Sequence, residues 1–203
     1  MPHHPVYLAS TSPRRQELLA QIGVAFSVVT AEIDETPSPQ EEVLAYLQRM
    51  AKQKALAAQS LLEYDAWIIA GDTSLLVDGQ ILGKPVDADD AQAMLQRLSG
   101  RSHQVYSAVA LCHQDTLLCA VSITEVTFAP LPVSDIAAYV ASGEPMDKAG
   151  AYAIQGYAAR WVKNINGSYS GVMGLPLFEL NQLLEQANFP YFNPLKKPMP
   201  HEK

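Results

Sequence analysis

Apolar runs alternate with turn residues along this chain, and the alternation sets out strands and helices in turn. The short run Val6-Tyr7-Leu8-Ala9 predicts a buried strand. Ser12-Pro13-Arg14-Arg15 follows at once, with Ser12 suited to an N-cap and Pro13 to the first helical position, where a missing N–H costs nothing. Residues 13–22 then carry Leu18, Leu19 and Ile22 on one helical face and stop at Gly23. A second strand is predicted over 25–29. Pro37 and Pro39 keep the acidic turn 32–37 non-helical. From about residue 41 to 62, Val43, Leu44, Leu47, Met50 and Ala51 form the stripe of a long helix. Residues 67–70 read as a short buried strand that delivers Gly71-Asp72-Thr73.

Asp78-Gly79 predicts the turn of a hairpin that ends in Gly83-Lys84-Pro85. A helix over 89–98 closes at Gly100. Two long strand-like runs come next, 105–112 and 117–128, the first with period-two alternation. Ser134 is expected to cap a helix through residue 140 that stops at Gly143, and Pro176 to open a last helix to about residue 186. The stretch between, 151–174, reads as turns. Residues 1–192 form one α/β domain by this reading, and 193–203, rich in Pro and Lys, a frayed tail. The long adjacent runs over 105–128 argue that part of the sheet is antiparallel, against a pure doubly wound fold.

With 48% apolar residues among 203, the chain can bury a sizeable core. Its net charge of −7 excludes the broad basic face that non-specific nucleic-acid or membrane-surface binding needs. Each basic residue therefore counts by position. Cys112 and Cys119 have no metal-binding or CxxC spacing and read as buried free thiols. No apolar stretch reaches the length of a membrane span and no signal pattern opens the chain, so a reducing cytoplasm is expected. His3 and His4 read as solvated.

Four charged stretches fall at the ends of predicted elements rather than on exposed faces. Arg14-Arg15 lie at a helix start whose unpaired N–H groups, with two guanidiniums, would hold a phosphate; a capped surface helix with solvated arginines is the plainer reading. Asp72, just past a buried strand, would face the crevice where α/β proteins bind ligands, or would cap the next turn. Glu35 and Asp72 together could hold a hard divalent cation through oxygen. Arg14, Arg15, Lys54 and Lys84 could neutralise a polyphosphate bound to it, although Lys54 on a helix and Glu35 in a loop are each more often plain surface charges. Asp147 through Gly156 and Asn166 through Gly171 are glycine-rich loops that allow close backbone approach, or are only tight turns.

Taken in order, Leu8 through Arg15, Gly71-Asp72-Thr73, Gly83-Lys84-Pro85, Asp147 through Gly156 and Gly174-Leu175-Pro176 resemble the Maf family over roughly residues 6–187. The resemblance implies a cytoplasmic nucleoside triphosphate pyrophosphatase. Its fold would be a mixed, twisted α/β sheet with helices on both sides and two lobes around a central cleft, like that of inosine triphosphate pyrophosphatases. Within the family the chain resembles the subgroup acting on dTTP and UTP. By that match Asp72 is the proton acceptor, and Arg14, Thr73 and Gln155 set specificity. Ser12, Arg14, Arg15, Lys54 and Lys84 contact phosphate, and Glu35 and Asp72 hold Mg²⁺ or Mn²⁺. A homodimer is implied as well. The subgroup acting on 7-methyl-GTP looks different: Trp before a single Arg, Gln in place of Thr73, and Ser-Glu-Gly in place of Ile154-Gln155-Gly156. Two departures from the commoner pattern stand out: Gly71 replaces a usual Ala or Ser, and Ala153 a usual Gly.

Three rivals stay open on the residues alone. A nucleotide-sensing regulator of cell division would bind a triphosphate without hydrolysing it. A monophosphatase would release orthophosphate. Clearance of modified pyrimidine nucleotides would use the same residues.

Overall fold

The computed structural model describes residues 4–190. Among these residues seven strands form one mixed sheet: β1 (Val6–Leu8), β2 (Ser27–Val28), β3 (Trp67–Val77), β4 (Gln80–Leu82), β5 (Ser102–His113), β6 (Thr116–Phe128) and β7 (Val162–Asn166). Their order is β2-β1-β3-β5-β6-β7, with β4 paired to β3. β1 pairs in parallel with both β2 and β3, whereas β3 with β4 and β6 with β7 are antiparallel. Six α-helices accompany them: α1 (Pro13–Gln21), α2 (Val43–Ser60), α3 (Ala88–Leu98), α4 (Val133–Ala141), α5 (Tyr169–Met173) and α6 (Leu177–Gln186). The mixed α/β fold expected from the sequence is the one observed.

The described residues resolve into two compact units: residues 4–72, 108–121 and 174–190 form the first, and residues 73–107 and 122–173 the second. In the first, Leu8, Leu47, Met50, Ile68, Ile69 and Leu180 are buried. Leu18 and Leu19 bury the inner face of α1, and α2 buries Leu47, Met50, Ala51, Ala55 and Ala58, a helical stripe of spacing three and four. Leu44, expected on that stripe, is exposed. In the second unit, Leu75, Leu95, Leu98, Phe128, Ile136 and Trp161 belong to one core.

Several local expectations need correction. The strand carrying Asp72 does not end at residue 70. It runs on to Val77, because Leu75, Leu76 and Val77 pair with Leu82, Ile81 and Gln80 across the hairpin. Asp72 therefore lies within β3, between the segment paired to β1 and the segment paired to β4. The hairpin itself turns at Asp78-Gly79 as expected, with φ of 52° and 73°, the left-handed pair that a two-residue turn of this hand requires. Ser134 lies inside α4, whose cap is Pro132. Strand β7 and helix α5 occupy the stretch read as turns; β7 forms because Ile165 and Val162 pair with Val126 and Phe128.

Cys112 is buried but Cys119 is only half-buried, and both are free. His4 is not simply solvated: its Nδ1 donates to the Asp65 carbonyl at 3.2 Å, and its ring meets His113 edge-on at 5.1 Å. His3 and the 193–203 tail lie outside the described residues. Among the described residues no helix is long and apolar enough to cross a membrane.

Candidate active site

In the first unit, β1 ends at Leu8 and the chain turns through Ser10 into α1. Pro13 takes the first helical position, as its fixed φ favours, and Ser12 the N-cap, but the Ser12 side chain makes no capping bond. Instead the Ser12 N–H donates to Ser10 Oγ at 3.2 Å. The same hydroxyl accepts from Arg15 Nη1 at 3.3 Å, and Arg15 Nε donates to the Gly174 carbonyl at 2.7 Å. Arg15 is thus held by backbone and hydroxyl oxygens. Burial lowers its pKa, opposed by the charge of Asp72, with Arg14 lowering it further and Glu35 raising it. A lowered guanidinium is still protonated at neutral pH.

The second cluster hangs on α2. Lys54 Nζ lies 2.7 Å from Asp72 Oδ1 and 2.9 Å from Glu35 Oε1. The Lys54 and Asp72 side chains are 16% and 14% exposed, against 59% for Glu35. The ammonium therefore has one sheltered partner, Asp72, and one in water, and the sheltered contact carries more of the electrostatic interaction. The acidic turn carrying Glu35 is fixed to α2 rather than loose. Tyr46 donates to the Glu35 carbonyl at 3.0 Å and Arg49 Nη2 to the Thr36 carbonyl at 3.1 Å. Arg49 in turn grips Glu41 with two bonds of 2.7 and 2.6 Å, which together with the Ser38 N–H lower the Glu41 carboxyl to about 2. Burial raises the Tyr46 phenol, and the charges of Asp72 and Glu35 raise it further, so both carboxylates act on one point.

In the second unit, Thr73 Oγ1 lies 2.9 Å from Ser107 Oγ, which donates to the Gly171 carbonyl at 2.5 Å. The single Ser107 proton is committed to that carbonyl, so Thr73 is the donor in the pair. Lys84 is exposed just past β4, in a loop tied down where the Gly150 N–H donates to the Gly83 carbonyl at 3.0 Å. Gln155 is exposed on a turn. Arg15, Lys54, Glu35 and Asp72 are thus brought together in the first unit. Thr73, Lys84 and Gln155 belong to the second, each on its own element. Ser10, Tyr46 and Ser107 support these residues and escaped the sequence reading. Ser107 left one signal, a lone serine in the otherwise apolar middle of β5.

Two carboxylates converging on a single ammonium have the donor chemistry that a hard divalent cation prefers, and such ions commonly use one or two carboxylates with substrate phosphates and water. Among the described residues no group of three or more His, Cys, Asp or Glu could hold a metal ion. The pair fits a cation that arrives with oxygen ligands of its own, not a closed protein cage.

A dTTP/UTP pyrophosphatase of Aromatoleum aromaticum is 50% identical over 198 residues, covering 91% of this chain and 96% of that protein. One from Escherichia coli O157:H7 is 49% identical over 183 residues, covering 90% and 93%. Among solved structures, the Staphylococcus aureus Ham1 protein matches with a TM-score of 0.53 at 15% identity, over 90% of this chain and 99% of its own. A HAM1 protein from Coxiella burnetii matches at 0.52 and 19%, over 91% and 100%. At such identities these two share the fold. Residues 5–187 match the family described as Maf-like protein, and the chain belongs to the Maf family.

Proposed function

We propose that this chain hydrolyses dTTP and UTP between the α- and β-phosphates, releasing the nucleoside monophosphate and pyrophosphate. The observation that carries the reading is the convergence of Asp72 and Glu35 on Lys54, with the half-buried Arg15 within reach of both carboxylate charges. Half-identical relatives named for this activity support it.

Phosphoryl transfer asks a protein chiefly for position and charge neutralisation. Asp72 accepts the proton of the attacking water. Arg14, Arg15, Lys54 and Lys84, with Ser12 at the helix start, hold the phosphates, so that the departing pyrophosphate is neutralised as it leaves. A Mg²⁺ or Mn²⁺ ion held by Asp72 and Glu35 would supply Lewis-acid polarisation at the phosphate. Lys54 would then be available to a phosphate oxygen.

Gln155 presents an acceptor and two donors, which complement the O4/N3–H edge that uracil and thymine share. Thr73 and Arg14 complete the specificity set. The proposal includes a cytoplasmic setting, which suits two free thiols.

The deciding experiment incubates the protein with dTTP and Mg²⁺ and assays pyrophosphate and orthophosphate separately. Pyrophosphate with dTMP is the expected result. Orthophosphate would indicate a phosphatase, and binding without turnover a nucleotide sensor. Asp72→Asn should fold normally and lose on the order of 10²–10⁴ in kcat. Near-wild-type turnover by that variant removes Asp72 from the proton-accepting role.

A further inference from the structure

Gln155 occupies the third position of a β-turn closed by the Gly156 N–H on the Ala153 carbonyl at 3.0 Å. Two side chains with no part in the chemistry above hold both ends of that turn. The Ala153 N–H donates to Tyr139 Oη at 3.2 Å, and Tyr139 donates its own proton to Glu144 Oε1 at 2.9 Å. The Tyr157 N–H donates to the same carboxylate oxygen at 3.2 Å. One phenol and one carboxylate oxygen therefore join the residue before the turn's centre to the residue just beyond it.

The holder is itself fixed. Tyr139 is 2% exposed, stacks on the Tyr157 ring at 5.7 Å and meets Trp161 edge-on at 5.2 Å. Glu144 leads a short 3₁₀ turn (Glu144–Asp147) that starts after Gly143 in the left-handed region. A Cβ added to Gly156 would fall 2.0 Å from Glu144 Oε1, so the carboxylate fills the space a side chain there would take.

The geometry points to Tyr139 and Glu144 as positioning residues for base recognition by Gln155. This rests on the reading of Gln155 as the group that meets the pyrimidine edge. Two directional hydrogen bonds to a base demand an amide held within about 0.5 Å. A turn with two backbone N–H groups bonded to one anchored pair supplies that restraint. Without the pair, both N–H groups turn to water and the amide samples many positions. The pair should therefore govern which base is accepted and leave phosphate chemistry, which other residues perform, nearly untouched.

The test compares kcat/KM for dTTP with that for dCTP, whose edge reverses the thymine donors and acceptors. Glu144→Ala is expected to lower the dTTP/dCTP ratio about tenfold while kcat for dCTP stays within about twofold of wild type. Glu144→Gln, which keeps a carbonyl oxygen in place, should restore the ratio to within about threefold. Tyr139→Phe, which deletes one oxygen from an otherwise unchanged ring, covers the case in which Glu144→Ala fails to fold. In a Gln155→Ala background, Glu144→Ala should lower the ratio no further.

An unchanged ratio in folded Glu144→Ala and Tyr139→Phe, or an equal fall for both nucleotides, overturns the positioning role. Failure of Glu144→Gln to restore the ratio does the same. If Gln155→Ala leaves the ratio unchanged while Glu144→Ala lowers it, the pair still positions the turn and Gln155 is not its reader. If Gln155→Ala alone lowers it, Gln155 reads the base without this support.

Discussion

In the first unit, Asp72, Glu35 and Lys54 are fixed by opposite charges 2.7 and 2.9 Å apart. In the second, the turn bearing Gln155 is fixed by neutral donors gathered on Tyr139 and one oxygen of Glu144. Under the proposed function, the contrast matches what each region would be asked to do. A triphosphate is met by charge, and an ammonium shared between two carboxylates can exchange partners when a stronger anion and cation arrive. A base edge is met by donors and acceptors in fixed places, which a satisfied network holds better than an ion pair. The second unit also buries a neutral imidazole, that of His103. His103 Nε2 pairs with Tyr152 Oη at 2.8 Å, Nδ1 has no partner, and burial lowers the imidazole to about 4.

That difference can be broken first through pH. In the unfolded chain His103 titrates near its ordinary value of about 6.5. Above that pH the ring is neutral in both states and contributes no penalty. As pH falls from 6.5 toward 4, the unfolded chain takes up a proton that the folded one refuses, so stability is lost across that window. His103→Gln, neutral throughout, should escape a loss of about 3 kcal/mol, read as the difference between the two proteins' denaturation free energies at pH 7 and pH 4. Parallel pH profiles for the two proteins would show that His103 is charged inside the fold.

The charged unit is sharpened by Lys54→Met. Removing the ammonium leaves Asp72 and Glu35 without the cation they share. Mn²⁺ affinity without nucleotide, followed by electron paramagnetic resonance, should rise about tenfold while kcat/KM for dTTP falls by at least as much. Unchanged Mn²⁺ affinity would mean that the ammonium does not compete for the two carboxylates.

These two regions were not equally legible in the sequence. Arg15, Glu35 and Asp72 are legible as charges at the ends of predicted elements, whereas Lys54, inside a predicted helix, is legible only as a lysine that could neutralise phosphate. What the sequence concealed was that Lys54 pairs with both carboxylates, since residues 18 and 19 positions away meet only through the packing of α2. Gly71 and Asp72 resemble a turn, so the sequence predicts a strand that ends at residue 70. The pairing of Leu75 with Leu82 overrides that local preference. The turn around Gln155 was visible as glycine and little else. Its support comes from Tyr139, which reads as a core residue of α4, and from Glu144, which reads as a surface acid. Their shared purpose is set by tertiary hydrogen bonds that leave no periodic signal. Ser107 beneath Thr73 is the middle case, detectable as one polar residue in a buried strand but mute about its partner.

Gly156→Ala offers the smallest and most selective change, because it strikes the hydrogen-bonded turn without deleting any polar group. The added methyl would meet Glu144 Oε1 at 2.0 Å and Cδ at 2.8 Å. Both atoms lie at the end of a flexible side chain, so the carboxylate can swing away instead of the backbone giving ground. Gly156 has φ −97°, where alanine is not strained, so the backbone itself tolerates the change. Gly150 differs on both counts: its φ is +68°, and a methyl there would lie 2.4 Å from buried Leu75 Cδ1. Gly156→Ala should therefore cost about 2 kcal/mol in stability, roughly the two hydrogen bonds that Glu144 Oε1 accepts from Tyr139 and the Tyr157 N–H. It should also lower the dTTP/dCTP ratio as Glu144→Ala does, with the same kcat for dCTP. A stable Gly156→Ala protein that keeps full base preference would show that Gln155 holds its place without the carboxylate, and the contrast between an ion-paired and a hydrogen-bonded region would no longer describe how this enzyme divides its work.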